Sequence, residues 1–227
     1  MDGLEALSGK SMLKLSLGSP NQPLRLLCIG AHSDDLEIGC GGTVLQWLDT
    51  FKQVEVAWVV FSAPGQREAE ARVSANALLK NAKRVNLVLR NFRDGHFPAH
   101  FSEIKELFEE IKASESPDII LTPRLEDRHQ DHRLIAEITW QTFRNHLILE
   151  YEIPKYEGDL GQPNFFVLLS SKVCKRKLKH LMKHFGSQRA KAWFTEDTFT
   201  SILRLRGLES NAAEKFAEAF YCRKLVI

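Results

Sequence analysis

The chain has 227 residues, which is enough for one substantial hydrophobic core and does not require a second domain. Hydrophobic residues make up 44% and charged residues 26% of it, as is typical of a soluble globular protein. The formal net charge of +2 excludes a strong overall field that would attract nucleic acid or an acidic membrane. We expect a single domain over residues 1–227, with residues 1–22 as a lead-in to the first strand.

Neither a signal peptide nor a membrane-spanning segment is predicted. The first 23 residues are mixed and polar, and no later segment approaches the 18 apolar residues of a span. The four cysteines lack CxxC spacing, so we expect reduced, mostly buried thiols. The chain is therefore predicted to be cytoplasmic and to have no nucleic-acid partner. The sequence leaves open whether it forms a homo-oligomer.

Apolar strands and amphipathic helices alternate from residue 24 onwards. Strands are predicted over residues 24–30, 54–61, 84–89 and 119–121, with helices over 38–50 and 66–81 and a third helix capped by Ser102. In the second helix the stripe Ala69, Val73 and Ala77 is predicted to face the core. This alternation predicts an α/β fold with a mainly parallel sheet and helices on both faces.

Elements after residue 130 are less regular. A helix is predicted over 134–146, strands over 151–156 and 165–169, and an amphipathic helix around Leu178, Leu181, Met182 and Phe185. Helix signals also cover residues 212–220. The glycine-rich stretch 39–42 is predicted to let its helix approach the sheet closely.

Two polar clusters follow two of the predicted strands. His32, Asp34 and Asp35 come directly after the first strand, although Asp34 and Asp35 could simply begin the next helix. A second cluster, containing His129, Asp131 and His132, follows the strand at 119–121. Because the carboxyl ends of parallel strands lie at one edge of a sheet, we expect the two clusters to meet where ligands bind.

The spacing of these residues indicates a metal site. His32 and Asp35 are three residues apart, as are His129 and His132, so each pair can converge on one point. Two imidazoles and one carboxylate commonly bind a divalent metal with an open position; Zn²⁺ fits best and Fe²⁺ is also suited. Asp34 is then the available base, and one histidine of the second pair can serve as a donor oriented by Asp131.

These motifs resemble the PIG-L/LmbE family of metal-dependent de-N-acetylases. The resemblance rests on Ala31-His-Ser-Asp-Asp35, on Gly39-Cys-Gly-Gly-Thr43 and on His129-Gln-Asp-His132. It covers most of the chain and is densest over residues 24–135. Softer similarities are Arg67-Glu-Ala-Glu70, Asp94-Gly95 and Ala217-Glu-Ala-Phe220.

The resemblance implies a role for each matching residue. His32, Asp35 and His132 would be the metal ligands. Asp34 would be the general base, His129 the protonated group that faces the oxyanion, and Asp131 its orienting partner. Arg67 and Asp94 would contact the substrate.

The implied fold is a Rossmann-like, three-layer α/β domain, and the implied metal is zinc. The implied reaction is removal of an acetyl group, by attack of metal-bound water, from a small N-acetylated amino sugar or sugar conjugate. The sequence departs from the family at Ser33, where proline is usual; serine relaxes the loop without removing a ligand.

Two alternative functions remain open at this point. The same site could hydrolyse an amide in a thiol conjugate or another small amide, or the chain could be a non-catalytic sugar- or nucleotide-binding protein. The basic run over residues 172–183 is typical of a solvated helix face, and the alternative is that it attracts a phosphorylated or nucleotide-linked sugar. Trp193 is predicted to lie in the core, or to stack on a sugar.

Overall fold

The computed structural model describes residues 15–226, which form seven β-strands and seven α-helices. The strands are β1 (Leu24–His32), β2 (Val54–Ser62), β3 (Arg84–Leu89), β4 (Ile119–Pro123), β5 (Leu147–Tyr151), β6 (Phe165–Leu168) and β7 (Ala217–Cys222). The helices are α1 (Asp35–Gly39), α2 (Gly41–Thr50), α3 (Gln66–Leu78), α4 (Phe101–Ser114), α5 (Gln130–Thr142), α6 (Ser171–His184) and α7 (Glu196–Glu209). Most of the predicted lead-in, residues 1–14, lies outside the described residues.

The strands form one sheet in the order β3-β2-β1-β4-β5-β7-β6. The first five strands of this order are parallel, and β7 runs antiparallel to both of its neighbours. The chain moves outward from β1 to β3 and then returns to β4 on the other side of β1. This reversal creates a topological switch point between β1 and β4. The predicted three-layer, mainly parallel α/β fold is confirmed.

Two hydrophobic cores lie on the two faces of the sheet, because successive residues of a strand point to opposite faces. In β1, Leu26 and Cys28 belong to one core, whereas Leu27 and Ile29 belong to the other. Helices α4 and α5 cover the second core, and the other five helices cover the first. No helix between residues 15 and 226 has the length and apolar character needed to cross a bilayer.

Glycines after β1 bring α1 and α2 close to the sheet, as predicted. A Cβ on Gly39 would overlap the buried Tyr151 ring, and a Cβ on Gly42 would lie 2.8 Å from Oε1 of Glu218. The Glu218 carboxylate, on β7, accepts the backbone N–H groups of Gly42 (2.8 Å) and Thr43 (2.6 Å). It thereby satisfies the amino terminus of α2, which would otherwise carry unpaired buried donors.

Three local predictions are wrong. Helix α4 starts at Phe101, directly after a 3-10 turn over Phe97–His100, so Ser102 lies inside the helix and does not cap it. The predicted strand over 151–156 is the end of β5 followed by a loop, and the predicted helix over 212–220 overlaps β7. The short segment Ala217–Cys222 is extended because it pairs with both β5 and β6, so tertiary pairing overrides its helix propensity.

The buried face of α3 also differs from the prediction. Val73 is 56% exposed, whereas Ala71, Ala75 and Leu78 are buried against the first core. Alanine is a weak marker of a core-facing stripe, because it occurs on both faces of this helix. By contrast, Ile104, Leu107, Phe108 and Ile111 of α4 are buried, as their spacing predicts.

Candidate metal centre

The candidate site lies at the switch point between β1 and β4. His32 is the last residue of β1, and the chain turns immediately into α1 at Asp35. Strand β4 is parallel to β1 and leads through residues 124–129 into α5, which begins at Gln130. The two clusters that the sequence separates by about a hundred positions are therefore brought together.

Three donor atoms converge at the floor of this site. Nδ1 of His32 lies 3.1 Å from Nε2 of His132, and Oδ2 of Asp35 lies 3.5 Å and 3.3 Å from these two nitrogens, respectively. All three side chains are buried. In a tetrahedral zinc site with bonds of about 2.0–2.1 Å, ligand atoms are roughly 3.3 Å apart. The three atoms therefore have the spacing of ligands that share one divalent ion.

The outer nitrogen of each imidazole is paired with a carboxylate. His32 Nε2 lies 3.2 Å from Asp131 Oδ2 and 3.1 Å from Asp94 Oδ1, and His132 Nδ1 lies 2.9 Å from Asp127 Oδ2. Such partners hold the proton on the outer nitrogen and direct the lone pair of the other nitrogen inward. Asp127 was not identified from the sequence.

Asp34 and Asp35 are adjacent, but their environments move their pKa values in opposite directions. Burial and the neighbouring Asp35 raise the pKa of Asp34, and Arg67 partly opposes them. Burial also acts to raise the pKa of Asp35, but the flanking His132 and His32 hold it well below its usual range. Neighbouring carboxyl groups with divergent pKa values are typical of sites in which the two groups have different chemical roles.

His129 caps α5 and faces both other imidazoles. Its Nδ1 accepts the backbone N–H of Asp131 at 3.3 Å, so the proton of the neutral ring lies on Nε2. Burial lowers the pKa of His129, and His132 and His32 lower it further when their rings are protonated. One nitrogen each from His32, His129 and His132 also lies within 4.8 Å of the others, which makes His129 an alternative ligand.

Asp131 does not make the predicted contact with His129 through its carboxylate. Oδ2 accepts the backbone N–H of Gly95 at 2.6 Å and Oδ1 accepts that of Phe97 at 3.1 Å, while Oδ2 also contacts His32. The group that orients His129 is the backbone N–H of Asp131. Its carboxylate instead fixes His32 and the loop after β3.

Arg67 and Asp94, the predicted substrate contacts, both line the cavity, and they contact each other. Arg67 Nη1 donates to Asp94 Oδ2 and Nη2 donates to Asp34 Oδ1, each at 3.2 Å. Nε of the same side chain donates to Ser33 Oγ at 2.9 Å, a contact that proline at this position could not make. The pKa of Asp94 is lowered, chiefly by its hydrogen bond with His32.

A cavity of about 200 Å³ opens above these residues. His32, Asp34, Asp35, Arg67, Asp94, His129 and His132 line it, together with Ile153, Lys155, Tyr156, Glu157, Lys191 and Trp193. The second group comes from the loop after β5 and the segment between α6 and α7, which sequence periodicity does not connect to the site. No residue of α6 lines this cavity, and its Lys177 is buried in an ion pair with Glu218.

Two sequence comparisons found similar proteins. A family model described as PIG-L: GlcNAc-PI de-N-acetylase matches residues 27–143, a segment that contains both clusters. The uncharacterized deacetylase YaiS of Escherichia coli (strain K12) is 26% identical over 178 residues, which are 74% of this chain and 94% of YaiS.

Two solved structures share the fold. The conserved protein TT1542 of Thermus thermophilus matches with a TM-score of 0.70 at 19% identity, over 90% of this chain and 96% of that chain. The N,N'-diacetylchitobiose deacetylase of Pyrococcus horikoshii, in complex with its inhibitor MPG, matches with a TM-score of 0.64 at 21% identity, over 87% and 83% of the two chains.

Proposed function

This chain belongs to the PIG-L family, and we propose that it is a zinc-dependent de-N-acetylase acting on an N-acetylated amino sugar or sugar conjugate. The general part of this assignment, deacetylation of a sugar-related substrate, is the activity of the family. One observation supports the specific part, which is zinc dependence and attack by water: His32, Asp35 and His132 converge beside a second buried carboxylate, Asp34, at the floor of a cavity.

The donor set fits zinc. Catalytic zinc sites use three protein ligands of the His and Asp/Glu type and keep one open position. We assign Asp35 rather than His129 as the third ligand, because Nδ1 of His129 accepts a backbone N–H and Nε2 then carries the proton, which leaves the ring without a free lone pair. Oδ2 of Asp35 also accepts a backbone N–H, that of His32 at 2.7 Å, but a carboxylate oxygen keeps a second lone pair. When bound, such an ion lowers the pKa of a water molecule and polarises the acyl carbonyl. Fe²⁺ accepts the same ligands, so metal content decides between the two.

Asp34 is the proposed general base. Arg67 holds its Oδ1, and its Oδ2 has no hydrogen-bond partner among residues 15–226, so Oδ2 can accept a proton from the attacking water. The same carboxyl group then gives that proton to the leaving amine. The amide C–N bond breaks, water supplies the hydroxyl group of acetate and the proton of the amine, and the carboxylate is regenerated.

His129 is the proposed donor to the carbonyl oxygen. With Nδ1 engaged by the backbone of Asp131, the Nε2–H group is available as negative charge develops on that oxygen. In this form the ring acts as a neutral donor, whereas the family resemblance predicts a protonated one. Asp131 supports the reaction through His32, because its carboxylate holds the outer nitrogen of that ligand.

The proposal also covers the whole chain as one domain and a cytoplasmic location. All four cysteines are unpaired and three are buried, as expected in a reducing compartment.

The test is acetate release by purified protein that has been stripped and reloaded with Zn²⁺ or Fe²⁺. Substrates are N-acetylglucosamine, its phosphates, a nucleotide-linked N-acetyl sugar, and two non-sugar amides, one of them a thiol conjugate. We expect turnover of at least one sugar by the Zn²⁺ form. Turnover confined to the non-sugar amides would overturn the substrate class, and full activity after chelation would overturn the metal dependence.

A further inference from the structure

The segment between α6 and α7 forms one wall of the cavity and is firmly attached. Ser187 donates to Glu70 of α3 twice, from its backbone N–H at 2.9 Å and from its hydroxyl at 2.5 Å. Phe194 is buried in the first core. Between these anchors, Lys191 and Trp193 line the cavity. They therefore face the ligand space from a fixed backbone.

Trp193 offers an aromatic surface to the cavity. Phe194 and Phe199 meet its ring edge-to-face, with centroids 5.6 Å and 6.4 Å away. The side chain is only partly buried, so the remaining surface is available to a ligand. Aromatic walls of this kind bind the apolar faces of ligands, and the apolar face of a pyranose ring is such a surface.

Lys191 differs from the other cations of the cavity. Arg67 contacts Asp34 and Asp94, and Lys155 contacts two carboxylates, Asp127 and Asp159. Over residues 15–226 no salt bridge involves Lys191, which is exposed and places Nζ 5.4 Å from the Trp193 ring centroid. Its remaining electrostatic partner in the cavity is Asp34: burial raises the pKa of that carboxyl group, and Lys191 partly opposes the rise without forming a salt bridge. A sugar stacked on Trp193 would therefore bring its substituents next to a positive charge that no salt bridge engages.

Glu157 is the other charged group to consider. It lines the cavity from the loop after β5, and it too has no salt bridge within the described part of the chain. The charged group that lies over the Trp193 ring is Lys191, at 5.4 Å. The charge beside the aromatic surface is therefore positive.

We propose that Trp193 and Lys191 form a subsite for the sugar part of the substrate, and that Lys191 selects an N-acetyl sugar with a negatively charged substituent such as a phosphate. This inference rests on the proposed function, because it places the acetamide over His32, Asp35 and His132 and the rest of the sugar at the wall. Trp193 contributes to the binding of charged and neutral sugars alike. Lys191 makes an additional contribution to the binding of charged ones.

The experiment compares kcat/KM for N-acetylglucosamine with that for its 1-phosphate and 6-phosphate, using the zinc-loaded protein. We expect the wild type to prefer one of the two phosphates. Lys191→Ala should reduce that preference by about two- to fivefold, as expected for an exposed charge pair. Because the preference is a ratio, an equal effect of the variant on charged and uncharged sugars does not change it. The preference should also fall with added salt in the wild type only.

Matched variants separate the effect of this subsite from the effect of changing a charge elsewhere on the protein. Lys172→Ala removes an exposed lysine of α6 that does not line the cavity and should behave as wild type. Glu157→Gln should not reduce the preference. Trp193→Ala should raise KM for all three sugars, and Trp193→Phe, which keeps an aromatic ring, should restore part of the loss.

An unchanged preference in Lys191→Ala, or a wild type that favours the uncharged sugar, would overturn the proposal. If no sugar releases acetate, the proposed function fails instead. Calorimetric titration of the same three sugars into wild type and Lys191→Ala then still tests the subsite: weaker phosphate binding in the variant supports it, and equal binding overturns it.

Discussion

Asp127→Asn tests whether the residues around the proposed metal ligands control metal affinity. Asp127 is 3% exposed and accepts from Nδ1 of His132 at 2.9 Å, and it also binds Lys155 at 2.8 Å. Its carboxylate therefore fixes the His132 ring and increases the basicity of the inward nitrogen. Asparagine keeps one acceptor oxygen but removes the charge, while alanine removes both.

The structure sets the expected size of the effect. Changes to carboxylate partners of metal-bound histidines typically cost about 10–100-fold in metal affinity, or roughly 1.4–2.7 kcal/mol. We expect about tenfold weaker zinc binding in Asp127→Asn, because the remaining oxygen still orients the ring. Asp127→Ala should approach the hundredfold end of this range.

Competition with a chromophoric chelator measures the affinity directly. The matched control is Asp159→Asn, which removes a carboxylate that contacts Lys155 at 2.9 Å but touches neither histidine ligand. The control should stay within about twofold of wild type, since of these two carboxylates only Asp127 contacts a proposed ligand. Equal affinities for Asp127→Ala and wild type would refute the reasoning.

Three further predictions concern stability. Gly39→Ala should lower the free energy of unfolding by about 1–3 kcal/mol, because its Cβ meets the buried Tyr151 ring; a higher Tm would contradict this close packing. Glu218→Gln should lower the free energy of unfolding, measured by urea denaturation, by about 3–5 kcal/mol, because it leaves the Lys177 charge buried without its partner. The double variant Glu218→Gln, Lys177→Met should recover part of the lost stability. If Glu218→Gln alone were as stable as wild type, the stabilising role of the Lys177–Glu218 pair would be disproved. Burial raises the pKa of Glu37, in α1, to about 8. As the pH rises, this carboxyl group therefore loses its proton in the unfolded chain before it does so in the folded protein. The free energy of unfolding of the metal-free protein should fall by up to about 1.4 kcal/mol per pH unit between about pH 4.5 and pH 8. The stability of Glu37→Gln relative to wild type should therefore increase over that window, and a constant difference would be inconsistent with it.

The fold and the floor of the site were predictable because both depend on local patterns. A short apolar run that ends in His32 identifies a buried strand and its carboxyl end in one step. Since parallel strands align their carboxyl ends, the chain order also indicates that His132 lies near His32. Strand β7 was missed because Ala217–Cys222 has helix propensity, and only its pairing with two neighbouring strands makes it extended.

The surroundings of the site were harder to predict. Asp127 lies five residues before its partner His132, and nothing in its own neighbourhood distinguishes it from a loop residue. A search for a carboxylate to pair with the outer nitrogen of each ligand could have found it. Lys155 and Lys191 enter the cavity from distant loops. Their positions depend on tertiary packing, which leaves no periodic pattern in the sequence of a loop.

Ser33 illustrates how a departure from a family pattern gains meaning only in three dimensions. The sequence indicates a looser loop at this position. In the structure, Ser33 is buried and its hydroxyl accepts from Arg67, the side chain that also holds Asp34. The substitution therefore adds a contact to the proposed base and its arginine, rather than only removing a constraint.

The most direct test of the account is zinc content measured together with turnover in two single variants. His132→Ala should lose the bound equivalent of zinc, because it removes one of three convergent donors. Asp34→Asn should keep that equivalent and lose about 10²–10⁴-fold in kcat, because it removes only the base. Zinc retained in full by His132→Ala, or full turnover by Asp34→Asn, would contradict the assignment of ligand and base.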